Sequence, residues 1–593
     1  MITASATHPA NIFTNVIKQS PETRLRRFFW CLCIVLGFLQ AWASRATIVN
    51  DTVSYLDIGD SIWHGHWSLA VNGLWNPLYP AILGVAVGIF RPSFYWEYPL
   101  VHLIVFIVFL CTVWCYDFFL VQLILLRRRT ELQAEFPVPA WVWVCIGYVL
   151  FLWSSLRFIG VSETNPDMMV AAFFYLACGL LAKIRRHSSG WVVYCALGLA
   201  LGLGYLTKSI MFPVAVACLA AVAVRGRRQP RYVLAAIMMF LAVSVPYFVA
   251  LSISRGRLTF GESGSYNYMV HVDNIPAVHW QGEDGNTVGD SKPLHPSRQL
   301  VSQPATFEFR SLGGTYPPWT DPSYWYEGVR PYVNLHSTLR IGLHHLKDEA
   351  LALFDLHGSI VASLFVMLYV SGRRWLVLKD ITRYWFVMFP SLAALGMYAM
   401  IHIEPRYLGP FYVTLLMTLF LGVRLPASDS SRGLCSAIAI LILAMYFVPI
   451  SSPSLHVRGF VRDVLGRSQG DPDSPAEVVK GMYRLGLRPG DDIASLQWSL
   501  FGMSTWARLA RVKIVAEVYY WPERPATFRN DFWRADSASQ EQVMRALEAT
   551  GVSFIVSELP PTDVSESSNW QRVGNSHYYV YPIRTFGALS PQK

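Results

Sequence analysis

Asp51 opens the run VNDTVSYLDIGDSIWHGHWSLAVNGLWNPLYP, after the leading Val49 and Asn50, and follows directly on an apolar stretch, 28–48. About 20 apolar residues span a bilayer, so this carboxylate falls where a membrane helix meets water. It is badly placed for anchoring and well placed for chemistry on a lipid-borne substrate. Other acids stand at similar junctions: Glu163 and Asp167 in SETNPD, and Glu404 in HIEPRY. Cations do the same: Arg157 in LRFIGV, Lys208 in GYLTKSIMFP, Arg255 and Arg257 after the run 231–251, and Arg406 in EPRYLGP. Lys and Arg are disfavoured at the outer membrane face. Several converging there suit a phosphate, with Arg offering a fork of donors.

Plainer readings stand beside these. Glu404 and Arg406 are close enough in sequence for a local ion pair. Asp167 suits the first turn of a helix behind Pro166, where the dipole favours an anion. Asp57 and Asp60 read as a solvated face, and Asp51 as a helix cap. His64 and His66 have the two-apart spacing of weak metal ligands, but no third ligand accompanies them. No metal and no cofactor is assigned.

The positioning elements are membrane helices. The chain has 593 residues, 53% hydrophobic and 15% charged, with mean hydropathy +0.34. Soluble domains carry about 25% charged residues, so the composition predicts a polytopic membrane protein. The segment 1–22 is polar, and no small-residue cleavage site follows the first apolar run, so no secretory signal is expected. The net charge of +10 sits largely in short Arg clusters between apolar runs, which argues for topology rather than nucleic acid. The nine cysteines lie in or beside apolar runs, which points to core packing rather than disulfides or zinc.

Spans are expected at 28–48, 99–126, 138–158, 167–184, 191–207, 210–224, 231–251, 354–371, 383–403, 409–424 and 433–450. Arg24, Arg26 and Arg27, then Arg127 to Arg129, then Lys183, Arg185 and Arg186, then Arg225, Arg227 and Arg228, then Arg373 and Arg374 occupy alternate turns. The positive-inside rule puts them in the cytoplasm, with the N-terminus inside and the C-terminal region outside. The apolar segment 77–90 is too short for a span and reads as a re-entrant or juxtamembrane helix.

The expected organisation is therefore a cytoplasmic segment 1–27, a transmembrane region 28–450 with outer loops 49–98 and 252–350, and an extracytoplasmic domain 452–593. The long loop is rich in Gly, Pro and aromatics and reads as irregular but ordered, a lid over a site. In the C-terminal domain 492–496, 513–518, 553–557 and 576–581 read as strands, with helices at 504–511 and 539–550. This is a small α/β layer. It has no Gly-rich phosphate loop, so no nucleotide is assigned.

The set Asp51, Tyr55, Gly59, Gly65 and Trp67 resembles the first outer loop of GT-C superfamily glycosyltransferases. PLYP from Pro77 resembles the proline-led helix that follows there. SETNPDMMVAAFFYLA resembles the second acidic motif with Asp167 at its Asp, GLGYLTKSIMFP the Gly-rich turn with Lys208, and EPRYLGPFY the later Arg-Tyr motif. The groups most resembled are the bacterial dolichyl-phosphate-mannose protein mannosyltransferase-like and aminoarabinose lipid A transferase-like enzymes. The chain departs from them where Thr52 replaces the second acid of an Asp-Glu pair, which leaves a metal role for that pair unsupported, and in the loop 252–350.

The resemblance implies an α-helical, GT-C-like polytopic fold of about 11 spans plus a re-entrant or juxtamembrane helix. It also implies an inverting glycosyltransferase of the bacterial cytoplasmic membrane. A polyprenyl-phosphate sugar would be the donor and a hydroxyl of protein, lipid or glycan the acceptor, at the outer face. Asp51 would be the general base and Asp167 would orient the acceptor or the sugar. Lys208, Arg406, Tyr407 and Arg157 would bind the donor phosphate. Tyr55, Glu163, Glu404, Trp280 and Trp325 would contact substrate, with Tyr266, Tyr268, Trp319 and Tyr324 lining the same groove. A phosphate leaves without protonation, so one carboxylate suffices where glycosidases use two. Two other readings are a transporter or flippase of lipid-linked sugars, and a non-catalytic envelope assembly subunit. A transporter would more often carry inverted repeats, and none is visible.

Overall fold

The computed structural model describes residues 21–129, 138–186, 190–225, 229–273, 298–309, 313–321, 331–371, 379–426, 428–450, 457–465, 471–500, 502–518, 532–558 and 569–583. The chain is mostly helical. The first nine helices are α1 (Pro21–Ser44), α2 (Asp51–Trp63), α3 (Leu78–Phe90), α4 (Glu97–Arg128), α5 (Ala140–Trp153), α6 (Asp167–Arg186), α7 (Trp191–Thr207), α8 (Met211–Arg225) and α9 (Pro230–Ser254). Two helices of the long loop follow, α10 (Ser263–His271) and α11 (Pro317–Thr320). Then come α12 (Leu335–Ser371), α13 (Trp385–Ala399), α14 (Pro405–Gly422) and α15 (Asp429–Ile450).

Each expected apolar run falls on one of these helices. By length and composition, five helical stretches among the described residues can cross a membrane: Pro21–Ser44, Glu97–Arg128, Ala140–Ile159, Asp167–Arg186 and Pro230–Ser254. α5 is apolar all round and buried almost all round, as a central helix must be. Tyr116 of α4 stacks on Phe151 of α5 at 4.5 Å and meets Tyr175 of α6 edge-on at 5.1 Å.

α3 has 13 residues, a length of roughly 20 Å against a hydrocarbon core of roughly 30 Å. It packs on α2 through backbone rather than side chains. A Cβ on Gly59 would meet the Pro80 carbonyl at 2.5 Å, and one on Gly84 would meet the Gly59 carbonyl at 2.1 Å. Only glycine at both positions lets the two helices approach this closely. α2 stops at Trp63, with Gly65 in the left-handed region at φ 79°.

The C-terminal region carries a seven-stranded sheet in the order β1-β2-β4-β3-β5-β7-β6. Its strands are β1 (Arg298–Val301), β2 (Thr306–Glu308), β3 (Asp492–Ser495), β4 (Lys513–Val518), β5 (Phe554–Ser557), β6 (Gln571–Arg572) and β7 (Tyr579–Pro582). β3 runs parallel to β4 and β5, and the other pairings are antiparallel. Helices Met503–Ala510 and Ser537–Ala549 accompany it.

Two sequence expectations are corrected here. The α/β layer is not confined to 452–593, because β1 and β2 belong to the loop 252–350. That loop is accordingly not irregular throughout: β2 pairs with β4 from Thr306↔Val518 to Glu308↔Ala516. Runs of three or four residues carry little strand signal of their own, and pairing with a preformed edge decides them.

Asp57 and Asp60 do not form a solvated face. Arg508, buried on the helix Met503–Ala510, donates to Asp57 Oδ1 at 2.9 Å, Asp60 Oδ2 at 2.7 Å and Glu97 Oε1 at 2.9 Å. Arg511 reaches Asp60 at 3.1 Å and also pairs with Glu97. The α/β layer is thereby fastened to α2 and to the start of α4.

Candidate active site

Asp51 is the first residue of α2. It caps nothing: the N-cap position belongs to Asn50, without a side-chain cap bond, and Asp51 Oδ1 instead accepts from the indole N–H of Trp319 at 3.2 Å. Thr52 places α2 against the SETNPD turn, its hydroxyl bonding the Thr164 carbonyl at 2.8 Å. The Val49 N–H donates to the Thr164 hydroxyl at 3.2 Å. Thr52 thus joins the start of α2 to the turn before α6.

Asp167 starts α6, its own N–H held by Asn165 Oδ1 at 3.1 Å. This first-turn place is the structural role expected of it, and the carboxylate has a further one. Lys208 Nζ donates to Asp167 Oδ1 at 2.6 Å, and Arg406 Nε lies 3.8 Å from Asp167 Oδ2. Lys208 leaves α7 in extended conformation, in a turn secured by Ser209, whose hydroxyl donates to Asn76 at 3.1 Å. Its ammonium also lies 3.8 Å from the centre of the Tyr407 ring.

Arg406 is on the first turn of α14, behind Pro405. It pairs with Glu404, as proximity in sequence suggested, and donates to the Tyr407 hydroxyl at 3.4 Å. α14 is seated on the π-helical turn Ser154–Ile159 that ends α5: a Cβ on Gly409 would meet Ser154 Oγ at 2.5 Å. Asp51 feels the charges of Arg406, Glu404 and Lys208, and Glu163 feels Arg406, Glu404, Asp167 and Asp51. Residues from four separate helix junctions therefore form one cluster.

Burial raises the Asp51 carboxyl above its ordinary range, opposed by Arg406 and the Trp319 bond. Burial likewise raises Glu163. Burial lowers Lys208, with Asp167 opposing. Burial would raise Glu404, but the bond to His402 and the Arg406 charge outweigh it and bring it to about 2. The result is two carboxylates raised by burial, Asp51 and Glu163, beside a strongly anionic one and two cations.

A cavity of about 370 Å³ opens beside the cluster. Lys208, Ser209, His402 and Tyr407 supply its polar wall, and Ile210, Phe260, Met397 and Ile401 part of its apolar one. Such a cavity accepts an anionic head and an apolar tail together.

Tyr55 is buried one turn along α2 from Asp51, edge-on to Trp75 at 5.1 Å and to Tyr79 at 5.2 Å. Tyr266 is close enough to feel Asp51. Tyr268 instead bonds Thr338 of α12 at 2.6 Å. Arg157 is placed differently from the other cations: it is exposed, its guanidinium 5.6 Å over the Trp153 ring. Trp280, Tyr324 and Trp325 lie outside the described residues. Among the described residues no group of three or more His, Cys, Asp or Glu could hold a metal. His271 was not singled out from the sequence. It stacks on His402 at 3.7 Å, a contact that no local spacing signals.

The chain is similar in fold to ArnT from Cupriavidus metallidurans bound to undecaprenyl phosphate, at 12% identity and a TM-score of 0.49, over 94% of this chain and 98% of that one. It is also similar to the oligosaccharyltransferase of Archaeoglobus fulgidus. Against its apo form the TM-score is 0.43 at 12% identity, over 91% of this chain and 70% of that one. Against the complex of that protein, AglB, with an inhibitory peptide and a dolichol-phosphate, the TM-score is 0.40 at 12% identity, over 90% and 69%. No protein-family model matches the chain, and no curated protein matches it.

Proposed function

We propose that this chain is an integral-membrane inverting glycosyltransferase that moves a sugar from a polyprenyl-phosphate donor to a hydroxyl acceptor, at the outer face of a bacterial cytoplasmic membrane. The observation that carries the reading is the meeting of Asp51, Asp167, Lys208 and Arg406 beside a cavity with one cationic and one apolar wall.

The donor phosphate takes the free N–H groups of Lys208 and Arg406 and the Tyr407 hydroxyl, with the prenyl tail along Ile210, Phe260, Met397 and Ile401. Asp51 removes the proton from the acceptor hydroxyl as its oxygen attacks the anomeric carbon. The glycosidic C–O bond to phosphate breaks on the opposite face, so configuration inverts. The electron pair goes to the phosphate, where the two cations stabilise the growing charge; preorganised donors of this kind contribute roughly 2.7–4 kcal/mol each. Asp167 holds Lys208 in place and orients the acceptor or sugar, with Glu163 and Tyr55 beside them.

The test is Asp51→Asn in proteoliposomes supplied with a panel of radiolabelled undecaprenyl-phosphate sugars and cell-envelope acceptors. The wild type transfers at least one sugar, and the variant loses transfer by about 10²–10⁴-fold while still binding undecaprenyl phosphate. Undiminished turnover in the variant removes Asp51 as base. Downhill movement of lipid-linked sugar with no new glycosidic bond favours the transporter.

A further inference from the structure

Trp319 belongs to the segment 313–321, which lies between the α/β layer and α2. On the layer side, the Tyr316 hydroxyl donates to Glu517 Oε1 at 2.8 Å, and the Ile514 N–H donates to the Thr315 carbonyl at 2.9 Å. Glu517 is fully buried on the inner strand β4, its other oxygen held by the Ser499 N–H at 2.9 Å. On the α2 side, Thr315 donates twice to Asp57, from its N–H at 2.7 Å and its hydroxyl at 2.9 Å. Asp57 is itself held by Arg508 of the layer. Beyond Tyr316, the Trp319 carbonyl accepts from the Ser54 hydroxyl at 2.8 Å and the Trp75 indole at 3.1 Å. Asn72 grips the Thr320 carbonyl at 2.8 Å, and Arg255 pairs with Asp321 at 2.8 Å. The segment is therefore fixed at five residues, Thr315, Tyr316, Trp319, Thr320 and Asp321, and the Trp319 side chain donates to Asp51.

We propose that the C-terminal α/β layer is a positioning device for the reaction centre: through Tyr316 and Thr315 it fixes Trp319, a positioning residue whose indole N–H orients the Asp51 carboxylate. The chemical content is specific. An indole offers one donor and no acceptor, so it engages Oδ1 and leaves Oδ2 to receive the acceptor proton. Holding a base in one orientation by a second residue that does not react is how catalytic groups are commonly kept productive. The inference rests on the reading of Asp51 as the base, but the wiring can be tested without any sugar.

The experiment uses the full chain in lipid nanodiscs and a water-soluble carbodiimide with glycine ethyl ester. Modification at residue 51 is read by peptide mass spectrometry as a function of pH. The groups facing Asp51 are Arg406, Glu404, Lys208, Glu163, Tyr55, Tyr266 and Tyr407; all are retained. Trp319→Phe keeps a ring and removes only the donor, and the midpoint for Asp51 should rise by roughly one pH unit. Tyr316→Phe removes one hydroxyl far from the carboxylate and should move the same midpoint in the same direction by less. The double variant should match Trp319→Phe alone, because Tyr316 acts through Trp319. The exposed carboxylate Asp473 should not move in any variant.

An unmoved midpoint in Trp319→Phe overturns the proposal. So does a Tyr316→Phe shift that is absent, or one that adds in full to that of Trp319→Phe. If Tyr316→Phe fails to accumulate, Glu517→Gln weakens the same bond from the other side and is read identically. Loss of transfer in Asp51→Asn and movement of this midpoint are independent results, so either idea can fail alone.

Discussion

Lys208 Nζ stands 2.6 Å from Asp167 Oδ1 and 3.8 Å from the centre of the Tyr407 ring. One ammonium thus ties together the start of α6, the turn between α7 and α8, and the start of α14.

The Lys208→Gln variant should bind undecaprenyl phosphate about 10–100-fold more weakly, the loss expected for one hydrogen bond to a charged group. Titration of the lipid in detergent, followed by native mass spectrometry, gives the Kd directly. An unchanged Kd would remove Lys208 from the phosphate site.

His271 gives the site a pH dependence. Burial, and then the stacked His402, hold its pKa down to about 4 against an ordinary 6.5. The unfolded chain therefore takes up a proton near pH 6.5 that the folded chain refuses until about pH 4. Stability due to this group is intact above pH 6.5 and is lost progressively as pH falls between those values. His271→Phe should leave the unfolding temperature unchanged at pH 8 and raise it relative to wild type at pH 5. Equal shifts at both pH values would contradict this.

Arg508 serves three carboxylates from a side chain only 4% exposed. Arg508→Met leaves Asp57 and Glu97 buried with their main cation gone, which should destabilise the chain by about 3–5 kcal/mol. Arg511→Met, at a partly exposed position, should cost much less. Denaturant unfolding of the two variants side by side decides this; equal losses would mean that burial is not what gives Arg508 its weight.

Gly84→Ala tests the backbone contact of α2 with α3. The new methyl would sit 2.1 Å from the Gly59 carbonyl, and the helices must separate. Overpacking of this kind costs about 1–3 kcal/mol. Since α2 carries Asp51, the variant should also weaken transfer. A fully stable and active Gly84→Ala would show that the hairpin yields without disturbing the site.

Much was legible in the sequence because it depends on local pattern. Apolar runs of membrane length marked the helices, with 191–207 falling on Trp191–Thr207 itself. Alternation of strand and helix signals marked β3, β4 and β5. Asp51, Asp167, Lys208 and Arg406 were legible because a charge at a helix end beside a membrane has few structural uses.

Other features left no local trace. β1 and β2 are four and three residues long and become strands only by pairing. Asp57 and Asp60 sit on a helix face that looks solvated until Arg508, 451 residues away, covers it. Trp319 was one aromatic among several, and its bond to Asp51 crosses 268 residues.

By itself the sequence determined which apolar segments are helices and which charged residues stand at their ends, because both follow from how a short stretch of chain partitions between water and hydrocarbon; the helices within 252–350, Ser263–His271 and the first part of Leu335–Ser371, carry no such signal. Which of those charges meet, and what holds them, was decided only by the tertiary structure. A hydrogen bond or ion pair depends on distances of a few ångströms between segments that chain order leaves unrelated.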